Sequence, residues 1–286
     1  MKKLVLMLGV LVMFVACSDS NEPKPPPPPG SDENYFGTSN GSFWIYSNDS
    51  IAVDGSHHPF GKYDTLRQLR DTTYLGRPAK LMDHYFINPF SGTSGRTSYP
   101  MIENGSKVYV GQSFLGLFLP NFLVEIFNVL DTIKIADGNA ADWNLTEVKA
   151  PDTLSIFADI ASAISSMLPT AEVSSITGAF KIGFARGSDA VKGDYNTHSF
   201  KMRVVFDGTL VLHIPIFGTV PVPFETVFSE IDFYFSNGKG LIEIDAKPMQ
   251  VTAVAKIPLP GVNDLSIPLM DNMPGITKRL TSTNVD

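Results

Sequence analysis

Alternation of apolar and polar side chains is the feature of this 286-residue chain that most limits its fold. Residues Ser229–Phe235 and Leu241–Asp245 alternate with a period of two, and Asn237-Gly238 stands between them. Such runs around an Asn-Gly pair predict a β-hairpin, because these two residues tolerate the positive φ angles of a tight hairpin turn. The alternation also favours antiparallel strands with one buried face.

The same pattern recurs along the chain. Asp207-Gly208 is interpreted as a second turn, which would join a strand over Ser199–Phe206 to one over Thr209–Ile214. Two segments with helix-like spacing, Phe122–Leu130 and Leu154–Leu168, are predicted as short helices. Further strands are predicted at Phe43–Tyr46, Thr65–Tyr74, Ala79–Phe86, Lys107–Val110 and Gln250–Ile257. We therefore expect one mainly β (α+β) domain over residues 34–286, with a single curved antiparallel sheet, half-barrel or sandwich and two short helices.

The first sixteen residues have the layout of a secretory signal peptide. Lys2 and Lys3 precede an apolar stretch from Leu4 to Ala16. That stretch is shorter than the roughly 20 residues that a helix needs to cross a bilayer. It is therefore predicted to be an export signal and not a membrane span.

Phe14-Val15-Ala16-Cys17 resembles the lipobox of bacterial lipoproteins, with Phe14 where leucine is usual. The resemblance implies cleavage before Cys17 and acylation of this residue by chains such as palmitate, which would anchor the protein to a membrane. Because Cys17 is the only cysteine, the fold contains no intramolecular disulfide and depends on its core. Residues 17–33 would then form the lipidated cysteine and a proline-rich tether.

The residues after Cys17 bear on which membrane holds the anchor. Ser18 is not the aspartate that retains enteric lipoproteins in the inner membrane, which favours the outer membrane. The run Ser18–Glu22 resembles the surface-export signal of Bacteroidota-type lipoproteins, so the periplasmic face and the cell surface both stay open. Asn34–Tyr46 and Phe233–Ile242 resemble the opening and closing segments of secreted β-rich lipoproteins of that group, which implies a β-rich fold alone.

Charge and motifs argue against several functions. Without Lys2 and Lys3 the chain has 20 basic and 29 acidic residues, a formal charge of −9, so nucleic acid is not an expected partner. Gly37–Gly41 has the spacing of a nucleophile elbow but lacks the preceding strand and following helix that this motif needs. We predict no catalytic residue and no cofactor.

Four carboxylates of the predicted hairpin would share one face. With a two-residue turn, Asp232 faces Glu243 and Glu230 faces Asp245. Like charges directly opposed destabilise paired strands. Their repulsion would be offset by basic side chains, by solvent or by a calcium ion, and a carboxylate-dependent hydrolase is a more distant alternative.

Proline-broken apolar segments are the main candidates for binding. Leu212–Phe224 and Lys256–Leu269 share an Ile-Pro-apolar-x-Gly core, and Phe114–Val124 is a third apolar run. Such segments either pack as core or line a pocket or partner surface. The predicted ligand-binding residues are Phe118, Ile214, Ile216, Phe217, Phe224, Ile257 and Leu259.

We therefore expect a membrane-anchored, non-catalytic envelope lipoprotein that binds an apolar ligand such as a lipid, or a protein partner. A surface glycan-binding lipoprotein is the alternative, for which Trp44, Trp143 and Tyr234 would form a stacking platform. Five segments also resemble the Asp-Ser/Thr pattern of O-glycosylation in Bacteroidota-type bacteria, which implies modification at Ser50, Thr65, Thr72, Thr132 and Thr153.

Overall fold

A computed structural model of the protein describes residues 34–37, 39–88, 92–150, 155–256 and 264–285. Strands dominate these ranges. They are β1 Phe43–Ile51, β2 His57–Tyr74, β3 Arg77–Ile87, β4 Ser94–Asn104, β5 Lys107–Gly111, β6 Thr132–Asp137, β7 Asp142–Lys149, β8 Glu172–Arg186, β9 Ala190–Lys192, β10 Tyr195–Ile214, β11 Gly218–Ser236, β12 Gly240–Ala246, β13 Met249–Ala255, β14 Leu265–Met273 and β15 Gly275–Thr283. The two α-helices are α1 Asn121–Ile126 and α2 Ser155–Met167, and short 3-10 turns cover Gln112–Leu117 and Phe127–Val129.

The strands form one curved, open antiparallel sheet, as the sequence predicts. Its main path runs β6-β5-β4-β3-β2-β1-β15-β12-β11-β10-β8-β7. The last strand, β15, lies between β1 and β12 and so joins the early and late parts of the chain. β13 pairs with β11 and β14, and β9 pairs with β10.

The predicted helices are confirmed, and both pack on the buried face of the sheet. Phe118, just before α1, contacts Phe233 of β11 at 5.5 Å between ring centroids. Phe157 of α2 contacts Phe206 of β10 at 5.7 Å. Each such aromatic residue stabilises the fold by about 1.5–3 kcal/mol when it leaves water. The helical segments therefore supply the apolar cover that the sheet's inner face needs.

The predicted turn at Asp207-Gly208 is wrong, because β10 runs through it as one strand of 20 residues. Gly208 pairs with Gly178 of β8. A Cβ on Gly208 would lie 2.4 Å from Cε1 of Phe206, and a Cβ on Gly178 would lie 2.5 Å from Cζ of the same ring. The two glycines make room for the buried Phe206 ring within the sheet, a use of glycine that sequence alone does not separate from a turn.

The predicted hairpin at Asn237-Gly238 is confirmed, but its register differs from a two-residue turn. Ser236 pairs with Gly240 across three loop residues. Farther from the loop, the register shifts at a bulge between Phe235 and Tyr234. Asp232 therefore faces Asp245, and Tyr234 faces Glu243. The loop is held from outside, since the backbone N–H groups of Gly238 and Gly240 donate to the carbonyls of Asn34 and Tyr35.

The first described residues are packed into the domain. Tyr35 is fully buried and Phe36 is nearly so. The Tyr35 ring lies 5.4 Å from that of Phe235, and the Phe36 N–H donates to Oε1 of Glu103 at 2.7 Å. The chain therefore meets the sheet at the β11–β12 loop.

No helix in the described ranges has both the length and the apolar character that are needed to cross a membrane.

Candidate functional site

Two adjacent exposed apolar side chains, one of them fully exposed, lie at the tip of the β10–β11 hairpin. Ile214 and Gly218 form its last pair, and the residues between them, Pro215–Phe217, are here named the apex. Ile216 is 100% exposed and Phe217 is 59% exposed. The Phe217 N–H donates to the Ile214 carbonyl at 3.1 Å, which closes the turn.

The backbone of the apex is strained. Ile216 has a φ of +79°, in the left-handed region that a β-branched residue rarely adopts. Such a conformation costs on the order of 1–3 kcal/mol and persists where the surrounding structure imposes it. Here the long paired strands on both sides impose the turn, so two apolar side chains are held in solvent on a rigid support.

The other predicted ligand-binding residues are not brought together with the apex. Phe118 and Phe224 are buried in the core, and Ile214 packs partly against it. Ile257 and Leu259 lie outside the described residues. The predicted set therefore divides into core residues and a projecting tip.

The apex and the N-terminal segment lie at opposite ends of β11. This strand has 19 residues, which at about 3.3 Å per residue gives a path of roughly 60 Å. Asn34 and Tyr35 bind the loop that follows Ser236, whereas the apex precedes Gly218. β13 pairs antiparallel with β11 at Phe224 and Glu225, so β13 runs toward the apex end of β11.

The interior beside Phe118 does not have room for an acyl chain. The cavity that it lines, with Met249 and Ile276 among its walls, has a volume of about 10 Å³. That is about the space of one water molecule. A larger depression of about 320 Å³ beside Lys80 and Glu103 is open to the surface, and its walls are both polar and apolar.

The carboxylate face of the β11–β12 hairpin is neutralised by basic side chains. Glu243 binds Lys192 at 2.6 Å and Arg279 at 3.2 Å. Asp232 is 3.9 Å from Lys201, and Glu230 lies between Arg203 at 3.4 Å and Lys247 at 3.7 Å. Asp245 accepts from the Thr277 hydroxyl at 3.3 Å. Burial raises the pKa of Asp232, although Lys201 and Lys247 oppose that shift.

Within the described ranges, no group of three or more His, Cys, Asp or Glu side chains is arranged to hold a metal ion.

The proposed aromatic platform is not formed. Trp44 is fully buried, and its Nε1 donates to the Lys239 carbonyl at 2.7 Å. The Tyr234 ring is half-buried beneath Lys192, whose Nζ lies 3.9 Å from the ring centroid. The side chain of Trp143 is outside the described part of the structure. Trp44 is thus a core residue and not a stacking surface.

Four of the predicted modification sites lie on partly exposed strand positions. Ser50 belongs to β1, Thr65 and Thr72 to β2, and Thr132 to β6. Thr153 is outside the described residues, as are Cys17 and the tether. Modification and lipidation both stay predictions.

A buried polar cluster centred on Lys278 was missed by the sequence analysis. The Lys278 Nζ donates to Oδ2 of Asp64 at 2.6 Å, to Oδ1 of Asn48 at 3.0 Å and to the Ile87 carbonyl at 3.4 Å. Oδ1 of Asp64 accepts from the Asn48 amide at 2.7 Å and from the Ile87 N–H at 2.9 Å. This cluster ties together β1, β2, β3 and β15.

The cluster also holds His84, whose Nε2 lies 3.5 Å from Oδ2 of Asp64. Among the residues that the structure describes, neither ring nitrogen of His84 has a hydrogen-bond partner, and burial lowers the pKa of this histidine. Burial also lowers the pKa of Lys278, against the attraction of Asp64. Burial raises the pKa of Asp64, but His84 and Lys278 together bring it below its usual value.

Strand phase was the signal that could have found this cluster. Lys278 is in phase with Ile276 and Leu280, and Asp64 is in phase with Leu66. A charged residue at an inward position of an alternating strand requires a buried partner. Sequence alone does not identify that partner, because it lies 214 positions away in the chain.

The chain matches no protein-family model and no curated protein. One similar solved structure is a proposed lipoprotein from Parabacteroides distasonis, which is 11% identical, with a TM-score of 0.32 over 89% of this chain and 100% of that one. Another is a proposed exported protein with a YmcC-like fold from Bacteroides fragilis, 8% identical, with a TM-score of 0.33 over 88% of this chain and 99% of that one. At these TM-scores neither likeness supports an argument about fold or function.

Proposed function

We propose that the chain is a lipid-anchored, non-catalytic protein of the bacterial outer envelope that binds a partner protein through the apex Pro215–Phe217. The observation that carries the proposal is the full exposure of Ile216 next to the exposed Phe217. Burying an isoleucine or phenylalanine side chain gains about 1.5–3 kcal/mol. The strained φ of Ile216 holds both side chains outward before any partner arrives, which lowers the ordering cost of binding.

A partner outside the domain fits the structure better than a lipid held inside it. Phe118 and Phe224, two of the residues predicted to bind an apolar ligand, are occupied in the core. The cavity next to Phe118, about 10 Å³, is too small for an acyl chain. Of the predicted ligand-binding residues that the structure describes, Ile216 and Phe217 of the apex are the exposed ones.

A protein partner also fits better than the membrane that holds the anchor. The tether would join the domain at Asn34, which binds the β11–β12 loop. The apex lies at the other end of β11 from that attachment. A phenylalanine held on a projecting support is the kind of anchor residue that fills a pocket at a protein interface.

Site-specific photocrosslinking in the native host tests the proposal. A photoreactive amino acid replaces Ile216. In a separate control variant it replaces Val53, an exposed apolar residue of the β1–β2 connection. We expect a discrete protein adduct from position 216 and none from position 53. In the chain crosslinked at 216, Phe217→Asp should abolish the adduct, because a charge does not enter an apolar pocket.

Three results would contradict the proposal: no adduct at position 216, the same adduct from both positions, or adducts with lipid alone. The last result would instead assign the apex to a bilayer surface.

A further inference from the structure

A surface depression of about 280 Å³ lies on the outer face of β2, β3 and β4, apart from the apex. Its walls are Thr65, Arg67, Asp83, Tyr85 and Arg96. Thr65 pairs with Tyr85 and Arg67 with Asp83, while Tyr85 also pairs with Arg96 of β4. Because these are directly opposed pairs on neighbouring strands, the five side chains share one face of a rigid sheet.

The two arginines of this depression have different roles. Arg96 donates from Nε and Nη2 to the two carboxylate oxygens of Asp83, at 2.9 and 2.8 Å. Ser98 adds a third hydrogen bond to Asp83, and these contacts, led by Arg96, lower the pKa of its carboxyl. Within the described ranges, the exposed guanidinium of Arg67 has no ion-pair or hydrogen-bond partner. One positive charge is therefore left over for a ligand.

Two tyrosines lie near Thr65 on the same face as the free arginine. Tyr85 is 44% exposed, and Tyr63, two residues before Thr65 on β2, is 57% exposed. By register Tyr63 lies diagonally across from Tyr85, a separation of roughly 7–8 Å. A tyrosine ring has apolar faces and a polar rim, which suits the C–H face and hydroxyl groups of a sugar ring. Two such rings side by side can contact neighbouring units of a saccharide.

We infer that this depression binds an acidic saccharide, with Arg67 pairing with a sugar carboxylate while Tyr63 and Tyr85 stack on the sugar rings. A guanidinium binds a carboxylate through two parallel hydrogen bonds, which gives both strength and orientation. The fixed Asp83–Arg96 pair presents hydroxyl-binding groups beside it. A local excess of positive charge in a chain of formal charge −7 also favours an acidic ligand over a neutral one.

The test uses the full lipidated chain in detergent micelles and a trigalacturonate as the probe. Maltotriose, a neutral saccharide of the same length, and acetate, a carboxylate without a sugar, are the comparison ligands. Arg67→Gln removes the free guanidinium. Arg77→Gln is the matched control, because Arg77 is also exposed, lies at the start of β3 and carries the same charge. Thermal unfolding of each variant verifies the fold.

We expect trigalacturonate to bind, and Arg67→Gln to weaken its binding by about tenfold or more through loss of a charge-assisted contact. Arg77→Gln should change it by less than about twofold, because that charge is distant from the site. Tyr85→Ala should also weaken binding. The inference is overturned if trigalacturonate does not bind, if the two arginine variants weaken it equally, or if maltotriose or acetate binds as well.

Discussion

Lys278 and Asp64 form an ion pair whose side chains are 1% and 0% exposed. Removing one partner of a buried pair leaves an uncompensated charge in a low-dielectric interior. We therefore expect Lys278→Met to lower the free energy of unfolding by about 3–5 kcal/mol, measured by urea denaturation.

Two further variants separate this effect from the loss of an ordinary surface charge. Lys201→Met removes a cation 3.9 Å from Asp232 at a half-exposed site, and we expect only a small change there. The double variant Lys278→Met, Asp64→Asn should recover much of the lost stability, because it removes the orphan charge and keeps an acceptor for the Ile87 N–H. A single variant as stable as the wild type would show that Asp64 is not held by Lys278.

The pH dependence of stability should reflect His84, because burial holds its pKa below the ordinary value of about 6.5. At pH values between the lowered pKa of His84 in the folded chain and its ordinary pKa in the unfolded chain, the unfolded chain binds more protons. The free energy of unfolding therefore falls as the pH falls through this interval. Asp64, with its lowered pKa, adds a further loss only at pH values below its ordinary range. We expect His84→Phe to flatten the stability curve between about pH 7 and pH 5.

The phenylalanine has aromatic neighbours that suit it, since His84 packs against Phe86 and Tyr99 at centroid distances of 6.0 and 6.4 Å. An unchanged slope in His84→Phe would assign the acid sensitivity to other groups.

At the level of single elements, the glycine pair in β8 and β10 gives a direct prediction. A methyl group on Gly208 would meet the Phe206 ring at 2.4 Å and the Thr177 carbonyl oxygen at 2.9 Å. Overpacking of this kind costs about 1–3 kcal/mol, so Gly208→Ala should lower the thermal midpoint.

Gly116→Ala is the matched control for Gly208→Ala, because a Cβ there has no neighbour within 4 Å in the described part of the structure. That change should be neutral or stabilising, since it reduces the freedom of the unfolded chain. If both alanines were equally tolerated, the packing of the Phe206 ring in the sheet would not require glycine at position 208.

The elements that could be predicted are those set by local sequence. The alternation in Ser229–Phe235 and the helix-like spacing in Leu154–Leu168 each depend on residues close together in the chain, and both predictions are confirmed. The Asp207-Gly208 turn was wrong because the role of Gly208 depends on Gly178 in another strand. Likewise, the three-residue loop of the β11–β12 hairpin donates hydrogen bonds to Asn34 and Tyr35, which are far away in the sequence.

The candidate site was predictable only in part for the same reason. The apolar run Leu212–Phe224 was predicted as one binding segment, yet its residues alternate between core and solvent once it folds as a hairpin. Strand phase places Phe224 toward the core, whereas the apex is the turn between β10 and β11. The depression at Arg67 was not predicted, because its walls come from three strands.

At the scale of the whole molecule, the structure separates three regions. The N-terminal segment docks at one end of β11, the apex occupies the other end, and the Arg67 depression lies on the outer face of β2–β4. An anchor at Cys17 would therefore hold the domain by the end opposite the apex. Binding at the apex and binding at the depression are then compatible with attachment to a membrane.

The anchor itself is testable, because Cys17 is the only residue that can carry the thioether-linked lipid. We expect Cys17→Ser to abolish labelling by a palmitate analogue and to move the protein from the membrane pellet to the soluble fraction. Phe14→Leu, which restores the usual lipobox residue, should keep both properties and serves as the control. Labelling that persists in Cys17→Ser would refute the lipobox interpretation.

The same variant links the anchor to the apex. Confinement at a membrane raises the effective concentration of the apex near a partner in the same envelope, which strengthens a weak contact without adding an interaction. We therefore expect the adduct from position 216 to decrease in Cys17→Ser while Phe14→Leu leaves it intact. If the adduct persisted at full yield without the lipid, the partner would not depend on the membrane, and the anchor and the apex would serve separate purposes.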